Sequence, residues 1–253
     1  MKFHHIRSFL NKRYVHPVFQ KIHIFRILRS IDFDGFSKIK EKYENTPTGK
    51  KKAKYLNLQK CVRIALGQIH ELNLHTSAKL NILDIGTGSG YFPYVCKYFG
   101  HSATGTERAA EDFVLKGTLN LDPLNSMYME TNQLLGIKRI PWTIRGFEPA
   151  PEFDQKFDLI TAFAVMFDRK GDSGYRWDEK EWEFFIRDIV HNLLTDEGKI
   201  YIRLNLHYKH HHKKIQENDE FLKRACKYFI STGAEIRNNI VYYKSIRQIR
   251  TAL

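Results

Sequence analysis

Ile82-Leu-Asp-Ile-Gly-Thr-Gly-Ser-Gly-Tyr-Phe92 is the stretch on which the fold turns. Ile82, Leu83 and Ile85 make a short apolar strand, Asp84 interrupts it near its end, and Gly86, Gly88 and Gly90 follow at alternate positions. Glycine there lets the chain turn tightly and lets a ligand approach the backbone. Tyr91 to Phe99 then reads as a helix closed by Gly100. A strand, a glycine turn and a helix N-terminus make a nucleotide-binding unit, because backbone N–H groups and the helix dipole converge on the turn.

Spacing narrows the choice of nucleotide. A dinucleotide fingerprint starting at Gly86 needs its third glycine where Tyr91 stands. A phosphate loop needs Gly-Lys followed by Ser or Thr. The Gly49-Lys50 pair runs into Lys51 and has Glu44 where the upstream glycine belongs. What remains is Asp-x-Gly-x-Gly-x-Gly without a phosphate-holding lysine. His101 to Glu107 reads as the next strand, ending in an acid 23 residues beyond Asp84. A carboxylate at that tip can accept two hydrogen bonds from a ribose diol; taken alone it is an ordinary solvated loop acid. A third strand is expected around Pro141 to Ile144, followed by Arg145-Gly-Phe-Glu148. Phe157 to Met166 holds most of the largely apolar run Leu159–Phe167, framed by Asp158 and Asp168, as a strand buried on both faces would. Trp182 to Leu194 has helical periodicity, Thr195 to Gly198 turns, and Lys199 to Leu204 reads as a fifth strand.

In this order and spacing the features resemble the class I S-adenosylmethionine-dependent methyltransferases, over about residues 52–245. The resemblance implies a Rossmann-like α/β fold with a mostly parallel seven-stranded sheet flanked by helices, its last strands near Ala234–Arg237 and Asn239–Lys244. It divides the chain into a helical N-terminal extension, residues 1–50, and a methyltransferase domain, residues 51–253. S-adenosyl-L-methionine is the implied cofactor. Carried onto this sequence, the cofactor-binding positions at the turn are Asp84, Gly86, Thr87, Gly88, Gly90 and Tyr91. Glu107 and Arg108 follow at the second strand, Phe147 and Glu148 flank the adenine, and Ala162 and Phe163 close the fourth strand. Asp84 takes the methionine amino end and Glu107 the ribose. Phe147 taken alone is a core aromatic before it is an adenine platform. Asp196-Glu-Gly198 stands where the family usually has Pro-Gly-Gly.

The acceptor is less legible. Base-modifying amino methyltransferases often carry Asn/Asp-Pro-Pro-Tyr after the fourth strand, and here that place reads Ala162-Phe-Ala-Val165. This argues against that subclass and leaves oxygen acceptors, small amines and carbons open; a small-molecule or saccharide acceptor, at a hydroxyl, is the expectation. A hydroxyl needs a base or a metal to take its proton. Asp168, past the fourth strand, is the candidate base, with a loop acid as the plainer reading. His191 on the following helix faces core or solvent. The aromatic segment Asp172–Trp182, with Tyr175, Trp177 and Trp182, suits sugar rings or bases, or packing over the sheet. His207, His210, His211 and His212 lie among lysines with neither cysteine nor a placed acid, so a solvated basic loop and no metal is expected there; the resemblance implies that this loop borders the acceptor pocket.

Charge is uneven. Residues 1–60 carry 15 Lys+Arg against 4 Asp+Glu, and the remaining 193 residues carry 26 against 24, so nearly all of the net +13 lies in the leading segment. Ile6, Phe9, Leu10, Val18, Ile22, Phe25, Leu28 and Ile31 recur at roughly helical spacing, interrupted by Pro17. Such a basic amphipathic segment docks on its own domain, lies on an anionic membrane surface, or grips nucleic acid. A second amphipathic helix is expected from Lys52 to Leu72, with Tyr55, Leu58, Val62, Ala65, Ile69 and Leu72 on one stripe; it is an ordinary packing helix or, as the resemblance implies, one that brings Lys54 or Tyr55 beside the cofactor. No stretch reaches the ~18 apolar residues that span a bilayer. Isolated Cys61, Cys96 and Cys226 suit a reducing cytoplasm, with the chain at most peripheral to the inner membrane surface. Two other readings stand beside the small-molecule enzyme: an RNA methyltransferase using the basic extension, and a non-catalytic subunit that binds the cofactor.

Overall fold

The strand of the glycine stretch, β1 (Asn81–Ile85), is the centre from which the sheet grows both ways. In the computed structural model, residues 17–46, 53–108, 123–163, 165, 168, 176–204, 223–237, 239–247 and 249 are described. The other strands are β2 (Ser102–Glu107), β3 (Lys138–Pro141), β4 (Phe157–Phe163), β5 (Leu194–Arg203), β6 (Glu235–Arg237) and β7 (Ile240–Tyr243). They form one seven-stranded sheet in the order β3-β2-β1-β4-β5-β7-β6. β1 to β5 run parallel and β7 is antiparallel to both of its neighbours. The chain order reverses at β1, which has β2 on one side and β4 on the other. In such sheets that switch point opens a crevice at the carboxyl ends of the two strands.

Alternation of side chains sorts the core into two layers. Leu83, Ile85, Ile160, Ala162, Ile200 and Ile202 point to one face, covered by α6 (Glu179–Asp188), by the π turn Ile189–Leu193 and by helical residues 223–231. Ile82, Leu159 and Tyr201 point to the other, covered by α3 (Leu58–Glu71) and α4 (Tyr91–Tyr98). α1 (Pro17–Arg29) packs on α3, and Ile24, Ile27 and Ile31 join that same apolar cluster. α2 (Phe33–Glu44) packs on α5 (Pro123–Leu134), where Ile39 and Tyr43 meet Met127 and Tyr128.

The mostly parallel sheet implied by the resemblance is present, with its last two strands where they are expected. Several local expectations need correction. β3 ends at Pro141 instead of starting there, opposite Glu107, the last residue of β2, whose carbonyl accepts from Trp142 N at 2.7 Å. β5 begins at Leu194, and the turn at Thr195–Gly198 is a bulge inside it. Leu194 lies opposite Phe157 and Lys199 opposite Leu159, and Asp158 ties the bulge by accepting from Thr195 Oγ1 at 3.2 Å and from Asn81 N at 2.8 Å. Pro17 opens α1, at the position where a missing N–H costs nothing. The apolar residues of roughly helical spacing fall on two sides: Leu28 and Ile31 face the core, while Ile22 and Phe25 are exposed. Trp177 and Trp182 are core residues, each 2% exposed and stacked edge-on with Phe185 and Phe229 nearby, so they offer no open face to a sugar. Tyr175 and the histidines at 207–212 lie outside the described residues.

Candidate functional site

The carboxyl end of β1 runs into a turn whose three glycines all have positive φ, 65° at Gly86, 54° at Gly88 and 75° at Gly90. At Gly86 a Cβ would stand 2.6 Å from Val165 Cγ2, and at Gly90 it would strike Asn132 Oδ1. Side chains are therefore excluded there twice, by backbone conformation and by space. The side-chain position of Gly88 is open, with the Tyr128 ring 3.7 Å away. Across the sheet, Gly105 of β2 leaves room for Thr87: a Cβ there would lie 2.5 Å from Thr87 Cγ2. Thr87 N donates to Thr106 O at 2.8 Å, pinning the turn to the β2 tip.

Glu107 meets the turn from the side. Its Oε2 accepts from Gly88 N at 3.1 Å and its Oε1 from Arg108 N at 3.1 Å, so the carboxylate hangs directly over the glycine backbone. Asp84 lies beneath, 3% exposed, and accepts from Thr161 Oγ1 of β4 at 2.8 Å. Burial pushes its carboxyl up to about 7, against the pull of the Thr161 hydrogen bond. Ala162 is buried at the end of β4, in register with Ile85. Phe163 packs edge-on with Phe92, ring centroids 4.8 Å apart, and Arg203 lies over its ring.

Tyr91 is placed differently from a direct ligand. It is 7% exposed and its hydroxyl donates to Tyr55 O at 3.0 Å, fixing the short 3-10 turn Ala53–Leu56 against the glycine turn. Tyr55 then meets Tyr128 edge-on at 5.5 Å, and Lys54 Nζ stands 4.8 Å over the Tyr55 ring. Phe147 has φ 61° and turns its ring to Phe184 of α6, while Glu148 pairs with Arg145 at 3.3 Å. Asp168 is 4% exposed and bonded to Arg176 at 2.9 Å, with Trp177 N donating to its carbonyl. Asp168, the candidate base, is thus a buried, ion-paired carboxylate. His191 is exposed.

Two residues of the site have no local signature in the sequence. Asn132 Nδ2 donates to Gly88 O at 2.6 Å and to Tyr128 O at 2.7 Å, and Tyr128 roofs the turn. Both sit on α5, and only their position as an (i, i+4) pair relates them. Glu130, on the same helix, accepts from Tyr43 at 2.7 Å and Lys42 at 2.6 Å, so α2 holds the roof in place. Among the described residues no group of three or more His, Cys, Asp or Glu is arranged to hold a metal.

The sheet order and the glycine turn at its switch point decide the architecture. The chain has a Rossmann-like α/β fold built on a mostly parallel seven-stranded sheet. It matches no protein-family model and no curated protein. Among solved structures it is similar to a putative S-adenosyl-L-methionine-dependent methyltransferase from Methanococcus maripaludis, at 15% identity and TM-score 0.45, covering 90% of this chain and 92% of that one. A mitomycin 7-O-methyltransferase is similar at 14% identity and TM-score 0.45, covering 89% of this chain and 67% of that one. A glycopeptide N-methyltransferase matches at 10% identity and TM-score 0.36, over 56% of this chain, which spans about half (52%) of that chain.

Proposed function

We propose that the chain is an S-adenosyl-L-methionine-dependent methyltransferase acting on a small-molecule or saccharide acceptor, at a hydroxyl. The observation that carries this reading is the left-handed triple-glycine turn at the β1/β4 switch point with the Glu107 carboxylate over Gly88. The residues present fit the cofactor. The turn is a cradle that a Cβ at Gly86 or Gly90 would fill. Ser89 Oγ and Asn132 Oδ1 are buried beside it without a protein hydrogen-bond partner. Bound there, the cofactor supplies an electrophilic methyl group on a sulfonium sulfur. Glu107 would accept from the ribose diol, and Asp84 would face the methionine amino end, directly or through water. Phe147 and Glu148 would flank the adenine, and Ala162 and Phe163 would floor the site. Orientation and exclusion of water then carry most of the rate, since the donor is already activated.

The near neutrality of residues 61–253, 26 Lys+Arg against 24 Asp+Glu, supports an uncharged acceptor over RNA, whose phosphates call for basic side chains around the pocket. In this reading the protein works in the cytoplasm, with its basic N-terminal helix toward the inner membrane surface.

Calorimetry with S-adenosylhomocysteine and methyl transfer from labelled cofactor to pools of saccharides, small alcohols and RNA test the proposal. Gly88→Val obstructs the cradle. Glu107→Ala removes charge-assisted hydrogen bonds worth about 1.5–3 kcal/mol each, so affinity should fall at least tenfold. Wild-type affinity in both variants would sink the cofactor assignment. Transfer confined to the RNA pool would replace the acceptor class.

A further inference from the structure

α1 presents two apolar stripes on opposite sides. Ile24 and Ile27, with Ile31 just past the helix end, face inward and are 8%, 0% and 6% exposed. Ile22 and Phe25 face outward, 40% and 59% exposed, in a surface cleft that they line with Lys21, Arg26 and Arg29. These five residues follow helical spacing, so they form one continuous outer stripe. The Arg29 guanidinium lies 5.5 Å over the Phe25 ring, its stem along the apolar surface and its charge at the rim. The bias extends beyond the helix: the first 31 residues hold seven Lys or Arg and not one Asp or Glu.

The geometry points to this outer stripe as a docking surface for an anionic phospholipid bilayer. Apolar side chains ringed by cations match both layers of such an interface: Ile22 and Phe25 enter below the headgroups while Lys21, Arg26 and Arg29 meet lipid phosphates and carboxylates. A nucleic-acid backbone satisfies the cations and leaves Ile22 and Phe25 in water, so the bilayer fits the whole stripe and RNA fits half of it. The inner stripe stays in the core, so docking needs no unfolding of α1. One short helix with three cations gives reversible, salt-sensitive attachment, and no described helix is long and apolar enough to cross a membrane. This inference is independent of the methyl-transfer reading.

The test uses the full chain and sedimentation with vesicles of phosphatidylcholine alone or with about one quarter phosphatidylserine. Wild type should partition onto the anionic vesicles and little onto neutral ones, with binding weakened by salt. Lys21→Gln/Arg26→Gln/Arg29→Gln should lower partition about a hundredfold, and Ile22→Ser/Phe25→Ser at least tenfold. Both should keep the wild-type melting temperature, because the altered side chains are already exposed. Failure of wild type to bind anionic vesicles at low salt would overturn the inference. Unchanged partition in both variants would also overturn it, locating any binding in residues 1–16. A wild-type dimer that Ile22→Ser/Phe25→Ser dissolves, or RNA retention that the glutamine variant abolishes, would equally replace the bilayer as occupant.

Discussion

At the scale of single residues, Asp84 and Asp168 show how burial assigns different work to two acids at the same sheet edge. The Asp84 carboxyl is raised by burial from 3.8 to about 7. A raised acid contributes stability that is full below its unfolded value and is lost as pH rises through its folded value, a window from about 4 to 7. Asp84→Asn keeps an acceptor for Thr161 and removes the burden of ionisation. It should therefore raise the melting temperature at pH 8 and much less at pH 5, while weakening cofactor affinity. Calorimetric scans at the two pH values check the first half, and titration with S-adenosylhomocysteine the second. Asp168 pairs with Arg176, their side chains 6% and 4% exposed. Asp168→Asn removes the negative charge from a buried ion pair and should cost about 3–5 kcal/mol, with turnover falling alongside. Replacing both partners, Asp168→Asn with Arg176→Met, separates the roles: a positioning pair regains stability and activity together, whereas a lost base leaves activity low in a stable protein.

At the scale of elements, what was legible in the sequence depended on how far each constraint reaches. The β1 turn and Glu107 are readable because conformation and spacing are local: three glycines at φ near 60° and an acid at the tip of the next strand. Asn132 is 44 residues from the Gly88 carbonyl it holds, and Tyr128 roofs the same turn, so neither has a neighbouring residue to betray it. Trp177 and Trp182 follow the aromatic composition of a binding loop, but Phe229, far along the chain, decides that they are core. The seat of α1 was hidden for the same reason. His23 of α1 faces Tyr98 of α4 and Phe99, which caps that helix, and His70 of α3 lies against His75, ring centroids 4.3 Å apart. Both nitrogens of His70 are without a hydrogen-bond partner, and burial, with His75 and His23 nearby, lowers it to about 4. A lowered base contributes stability that is present above its unfolded value of 6.5 and lost as pH falls toward 4. After solvent screening of this half-buried ring, about 1 kcal/mol should disappear between pH 7 and 4.5, and His70→Gln should flatten that slope in denaturant titrations.

At the scale of the whole molecule, residues 17–46 are built into the packing of the sheet's helices. Ile27 is fully buried among Val62, Leu66 and Ile69, which have the same 0% exposure. Ile27→Ala should cost about 2–5 kcal/mol and lower the melting temperature by about 5–15 °C in differential scanning calorimetry, with cofactor affinity lost only at the transition. A shift under about 2 °C would mean that α1 is peripheral to the core. The strand order has a consequence for the chain as it is made. β7 is the last of the seven strands to be synthesised, yet it belongs between β5 and β6. Until residues 240–243 emerge, the row Ile200–Arg203 has an open hydrogen-bonding edge and β6 has nothing to pair with. For that interval the nascent sheet is a template for foreign strands, and a ribosome that stalls after β6 leaves a sticky fragment instead of a nearly finished domain.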